Sequence, residues 1–301
     1  MVNVLIVHGR SRPLFGPVEM REQWLVALDS AFAGAELTPP FTDEEVKLPW
    51  YGDALTHLVG GVTRGEAERV SLSGDLPHDE RAFVLAVVEQ VAEAYRFTQE
   101  QLDAVAEPAD ERAPRGSWGY VRNVLGAVDR FVPGMSGATV AFVARECFGY
   151  LTDARLRQTI DDGVASVLDA GGPSVVLGHS LGAVIAYHVL RAHPSAASWD
   201  VPLFVTMGAP LAWRPVARAL ARLETPRVPA CVGTWVNARD PLDAVAIGGR
   251  LVGAFLPGGP GLPEVLEEDG IVNPDDGRHA VEYYLADPLV ATRIDEVLAA
   301  G

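Results

Sequence analysis

Residues 173–193, PSVVLGHSLGAVIAYHVLRAH, limit what this chain can fold into more than any other stretch. The β-branched apolar run at 174–177 reads as a buried strand. Gly178-His179-Ser180-Leu181-Gly182 follows as a tight turn. Leu181, Val184, Ile185, Val189 and Leu190 then recur at helical spacing. Strand, Gly-x-Ser-x-Gly and helix in succession give the short motif its meaning. A sharp strand-to-helix turn lifts the serine clear of its own backbone and crowds its neighbours. Glycine at 178 and 182 removes the side chains that would clash there. Ser180 would then stand at a helix N-terminus, where free N–H groups favour developing negative charge. The N–H of Leu181 is a natural half of an oxyanion hole. The plain alternative is a glycine-rich turn with a capping serine.

The rest of the chain repeats the alternation of strand and helix. Residues 2–7 form a continuous apolar run with one Asn, as in a fully buried parallel strand. His8-Gly9-Arg10-Ser11-Arg12-Pro13 follows as a loop, and 17–32 reads as a helix with Trp24, Leu25, Leu28 and Phe32 on one face. Residues 46–51 suggest a second strand, shortened by Pro49. Helices are expected at 79–106, 152–170, 213–223 and 287–300, with further strands at 202–207 and 231–236. Residues 138–143 fit helix or strand equally, and the glycine- and proline-rich 247–268 reads as loop. The fold class is therefore α/β: a mostly parallel sheet with helices on both faces, in one domain spanning 1–301. Residues 52–149 interrupt the alternation and read as a mainly helical cap or lid inserted into that domain. Phe97, Trp118, Tyr120, Phe131, Met135 and Phe142 are its candidates for lining a pocket.

Composition narrows the classes. With 301 residues, 49% hydrophobic and 21% charged, the chain can bury a large core. A net charge of −16 argues against a nucleic-acid partner. Lys47 is the single lysine, which disfavours Schiff-base chemistry. Cys147 and Cys231 have neither metal-ligand spacing nor a disulfide framework, and read as buried reduced thiols. No run is long enough for a transmembrane segment, and the N-terminus reads as a strand; a cytoplasmic location is expected.

A serine nucleophile needs a base, and the base needs an orienting carboxylate. Among seven histidines, His279 alone follows the last strand on a loop and precedes a helical pattern. His179 lies inside the turn, with its side chain expected to point away from Ser180. Asp240 stands directly after the 231–236 strand and is the first choice for the acid; Asp243 is the alternative. Either could instead cap a turn. The order Ser…Asp…His is that of a strand-to-helix nucleophile. After His8-Gly9, the N–H of Arg10, or alternatively Ser11, would be the second oxyanion donor. Ligands on such sheets bind beyond the carboxyl ends of the strands. His8, Gly9 and His179 are accordingly candidates for substrate contact.

These residues resemble the α/β-hydrolase superfamily. His8-Gly9, Gly178-His179-Ser180-Leu181-Gly182, Asp240 and His279 carry the resemblance, which is strongest to lipase- and esterase-like members. Residues 206–211 and 235–246 resemble the loops those members carry after the next two strands. The resemblance covers 1–51 and about 150–301. It implies a serine hydrolase acting on a carboxylic ester, thioester or amide through an acyl-enzyme, with a small-molecule acyl substrate and no metal or organic cofactor. Acyltransferase or thioesterase activity with the same triad, and a non-catalytic binding protein on this fold, are the alternatives. The oligomeric state is not readable from the sequence.

Overall fold

The computed structural model describes residues 3–9, 16–51, 54, 73–256 and 264–299. Six strands, β1 (Asn3–Val7), β2 (Val46–Lys47), β3 (Pro173–His179), β4 (Asp200–Met207), β5 (Val232–Ala238) and β6 (Val265–Glu268), form one sheet. Its order is β2-β1-β3-β4-β5-β6, and every pairing is parallel. The expected α/β class with a parallel sheet is what is found.

Ten α-helices surround the sheet among the described residues. They are α1 (Pro17–Gly34), α2 (His78–Tyr95), α3 (Gln99–Asp103), α4 (Trp118–Phe131), α5 (Gly137–Thr152), α6 (Ala154–Leu168), α7 (Leu181–Ala192), α8 (Arg214–Leu223), α9 (Val281–Leu285) and α10 (Pro288–Ala299). Alternation along the strands assigns the two faces. Leu5, Val7, Val176, Phe204 and Trp235 point to one side, where α2 to α8 pack. Val4, Ile6, Val175, Leu177, Leu203, Val205 and Val236 point to the other, against α1, α9 and α10. Because both faces are covered, the central strands β1, β3, β4 and β5 are mostly apolar instead of alternating regularly with polar residues.

Several elements differ from the sequence reading. The single helix expected at 79–106 is two. Arg96 takes a left-handed conformation (φ 54°, ψ 41°), and Thr98 begins α3 with a capping box to Gln101. Residues 138–143 are helical, within α5. The second strand is only two residues long. Residues 265–268, read as loop, are an edge strand that pairs with β5 from Trp235↔Val265 to Ala238↔Glu268. Cys147 is buried, whereas Cys231 is only part-buried.

The described part of the interrupting segment, 73–149, is helical, and its buried side chains belong to the same core as one sheet face. Most of 52–72 lies outside the described residues. Among the described residues no helix is long and apolar enough to cross a membrane.

The strand order locates the functional edge. The chain goes from β1 outward to β2, then from β3 outward the other way to β6. The crevice of such a sheet opens where that direction reverses, beyond the carboxyl ends of β1 and β3. Gly9 and Ser180 meet there.

Candidate active site

Ser180 leaves β3 in a strained conformation, φ 56° and ψ −129°, before α7 begins at Leu181. A side chain at positive φ costs about 1–3 kcal/mol and persists only where its surroundings impose it. Two contacts do so. The Ser180 N–H donates to the Met207 carbonyl at 3.0 Å, and the Ser180 carbonyl accepts from Ala183 N–H at 3.0 Å. Gly182 packs directly on the exit of β1: a Cβ there would lie 2.0 Å from the Val7 carbonyl oxygen. At Gly178 a Cβ would lie 2.9 Å from the Ala183 Cα. Both glycines of the motif are therefore needed for close approach, as the spacing suggests. The Leu181 N–H opens α7, where an N–H has no carbonyl four residues back to meet.

His279, the expected base, and its carboxylate partner come from distant loops. His279 lies between β6 and α9. Its Nε2 is 3.0 Å from Ser180 Oγ and its Nδ1 2.7 Å from Asp243 Oδ2. Asp240, the first choice for the acid, does not touch His279. Its carboxylate is taken instead by Arg278, whose Nη1 donates to Oδ2 at 2.7 Å. The alternative, Asp243, is the carboxylate that meets His279.

The two acids are built alike up to that point. Each uses Oδ1 to accept a backbone N–H two residues on, Leu242 for Asp240 and Val245 for Asp243, both at 2.8 Å. The turn-capping alternative thus describes one oxygen of both residues. The remaining oxygens face different loops. Tyr284 adds a third donor to Asp243: its hydroxyl gives a hydrogen bond to Oδ2 at 2.9 Å and accepts the Asp240 N–H at 3.1 Å. Asp243 is fully buried, and a buried carboxylate with three donors is held in one orientation. Burial among these carboxylates keeps the Tyr284 hydroxyl well above its usual range, so it is a donor at all ordinary pH.

The candidate contact residues surround this chain of bonds. His8 is buried and stacked on Tyr51 at 4.3 Å with 3° between the rings. Its Nδ1 lies 2.8 Å from the Gly9 carbonyl and its Nε2 3.2 Å from that of Pro49. Burial lowers its pKa to about 4, so the ring is neutral at pH 7 and donates to one of the two carbonyls. Gly9 faces Ser180, its added Cβ falling 3.4 Å from the serine Cβ. The His179 ring packs 4.8 Å from that of His279 and 5.8 Å from Tyr284. Burial first, then the neighbouring His279, hold it well below the usual histidine range. Arg10 and Ser11, the expected second oxyanion donors, lie outside the described residues.

A pocket of about 310 Å³ opens over Ser180 and His279. His8, Gly9 and His179 contribute to its wall, with Met20 and Trp24 from α1 and with 134–143 and 276–282. Of the aromatic and apolar candidates from the interrupting segment, Met135 and Phe142 line it. Phe97 and Tyr120 line a separate cavity of about 260 Å³. Trp118 is buried in the core, and Phe131 is packed against that core.

Sequence reasoning missed Tyr284 and Arg278. Tyr284 sits in an apolar helical pattern that does not distinguish it from core. Arg278 had a usable signal, being an arginine beside the chosen histidine in a chain with two competing acids. Among the described residues no group of three or more His, Cys, Asp or Glu is placed to hold a metal ion. No protein-family model, curated protein or solved structure matches this chain.

Proposed function

We propose that the chain is a serine hydrolase of the α/β-hydrolase kind, cleaving a carboxylic ester, thioester or amide of a small acyl substrate. The observation that carries this reading is the continuous bond path from Ser180 Oγ through His279 to Asp243, at 3.0 and 2.7 Å, on a strained strand-to-helix turn. The segment 52–149 acts in this reading as the cap that shapes the acyl site, through Met135 and Phe142.

The chemistry follows from the geometry. With Nδ1–H donating to Asp243, His279 presents a lone pair on Nε2 toward the serine hydroxyl. Ser180 Oγ attacks the substrate carbonyl carbon as its proton passes to Nε2. The carbonyl oxygen becomes an oxyanion beside the Leu181 N–H. As the C–X bond breaks, Nε2–H gives its proton to the leaving group, and the acyl group stays on Oγ. Water then enters and loses a proton to Nε2. It attacks the acyl carbon, the bond to Oγ breaks, and Ser180 recovers its proton. The buried carboxylate compensates the imidazolium formed in each half.

Labelling with a fluorophosphonate probe tests the reading. Wild type is expected to label at one site, with labelling lost in Ser180→Ala and cut sharply in His279→Ala. Retained labelling in folded Ser180→Ala, or none in folded wild type, overturns it. Product analysis with competing alcohols and amines separates hydrolysis from acyl transfer.

A further inference from the structure

The loop 269–280 carries His279 yet has no regular structure, apart from turns. Its position is imposed by Arg278, the residue immediately before the histidine. The Arg278 side chain is almost fully buried and reaches three segments. Nη1 donates to Asp240 Oδ2 at 2.7 Å, Nε donates to the Pro133 carbonyl at 3.0 Å, and Nη2 pairs with Asp275. Its backbone N–H donates to the Gly134 carbonyl at 3.2 Å, and its own carbonyl accepts Asn273 Nδ2 at 2.7 Å. Asn273 N–H closes the ring by donating to Asp240 Oδ2 at 2.9 Å. Asp240 is fixed in turn by its Oδ1 contact to Leu242 N–H at the exit of β5.

Asp240 and Arg278 thus join three parts through polar contacts: the exit of β5, the base loop, and the turn between α4 and α5. That turn supplies Gly134, Met135 and Ser136 to the pocket wall. A buried ion pair seldom adds net stability over a well-packed apolar pair, and its best-attested use is to fix one arrangement among several. Here the fixed arrangement is adjacent in sequence to the imidazole. A planar guanidinium holding separate acceptors with Nε, Nη1 and Nη2 also sets orientation in a way that an ammonium cannot.

We infer that Asp240 and Arg278 are a positioning pair: they hold the His279 imidazole between Ser180 and Asp243 and couple it to the pocket wall at 133–136. The inference rests on the serine-hydrolase reading above. It gives the acid that does not touch the base a role that acts through the loop and not through the proton. Misplacement of a catalytic group by about 1 Å costs on the order of a hundredfold in rate, which is the size of effect to look for.

The test compares fluorophosphonate labelling rates and ester kcat and KM in wild type, Arg278→Met, Arg278→Lys and Asp240→Asn. Each is read per folded molecule, below its own melting transition. Arg278→Met is expected to label about a hundredfold more slowly, with the loss in kcat and not in KM. Arg278→Lys, which keeps the charge but not the planar donor set, is expected to recover part of that loss. A folded Arg278→Met that reacts within threefold of wild type, with only its melting temperature lowered, makes the pair a structural staple and overturns the inference. If Arg278→Met does not fold, Asp240→Asn decides by the same threshold, since the amide keeps the shape of the acid. A reactive wild type with reactive variants overturns this inference alone. An unreactive folded wild type overturns the hydrolase reading and the inference together.

Discussion

Asp240 and Asp243 stand three residues apart on one strand exit, are both buried, and cap successive turns with the same oxygen. What separates them is the partner on Oδ2: Arg278 for the first, His279 and Tyr284 for the second. No local pattern in the chain carries that difference, because it depends on where a loop some 35 residues later comes to rest. The sequence narrows the carboxylate partner of His279 to two positions, and the tertiary fold brings Asp243 to the ring. Asp243→Asn is expected to lower ester turnover by about 10⁴-fold, the scale seen when the orienting carboxylate of such a triad becomes an amide and the wrong tautomer is held. Its structure, followed by circular dichroism, is expected to persist, because the amide oxygen can still accept from Val245. A loss within tenfold would remove Asp243 from the acid's role. His279 and Ser180 were easier to find. One has a distinctive position after the last strand, and the other sits in a motif whose geometry is local.

At the scale of elements, the same contrast holds. β3, the turn and α7 are contiguous, so their pattern is complete within about twenty residues and legible without knowing the fold. β6 was not legible: Val265-Leu266-Glu267-Glu268 is short, half acidic and set in glycine- and proline-rich chain, and only pairing with β5 makes it a strand. The break between α2 and α3 had a signal that went unused, the Thr98-x-x-Gln101 capping box. The tightest junction between elements is Gly182 against the exit of β1. Gly182→Ala would force a methyl onto the Val7 carbonyl and is expected to cost at least 1–3 kcal/mol, about the range for overpacking, as well as opening the site. Gly163, inside α6, is the contrasting case. Its nearest atom to an added Cβ is Tyr51 Cδ1 at 4.0 Å, so Gly163→Ala is expected to stabilise by about 0.5–1 kcal/mol. Denaturant midpoints of the two variants check both signs. Equal effects would contradict the packing described for the turn.

The whole molecule carries an acid-sensitive feature that the site does not need for chemistry. His8 titrates near 4 in the folded chain, against about 6.5 when unfolded, and His179 is shifted in the same direction. Between those values the unfolded chain binds protons that the folded chain refuses, so stability falls as pH is lowered from about 6.5 toward 4 and is fully present above. The His8 part alone has a ceiling of about 3 kcal/mol. Comparing wild type with His8→Gln isolates it from the opposing relief of charge repulsion in a chain of net charge −16. Wild type is expected to lose more stability than the variant between pH 7 and pH 4.5 in urea melts. Parallel curves would mean that His8 binds its proton alike in the folded and unfolded chain.

The sheet's single direction has a further consequence. Because every strand among the described residues is parallel, each part of the candidate site arrives on its own crossover: Gly9 after β1, Ser180 after β3, Asp240 and Asp243 after β5 and His279 after β6. The pocket wall at 134–143 belongs to still another stretch, and Gly182 and Met207, which hold the serine in its strained pose, lie outside it. Substitutions in the 139–143 part of the wall, beyond the turn that Arg278 holds, can therefore alter which molecule is admitted while the nucleophile's backbone stays as it is. Selectivity and reactivity are separately heritable traits in such a layout. A library confined to Thr139, Phe142 and Val143 is the natural place to change one without the other.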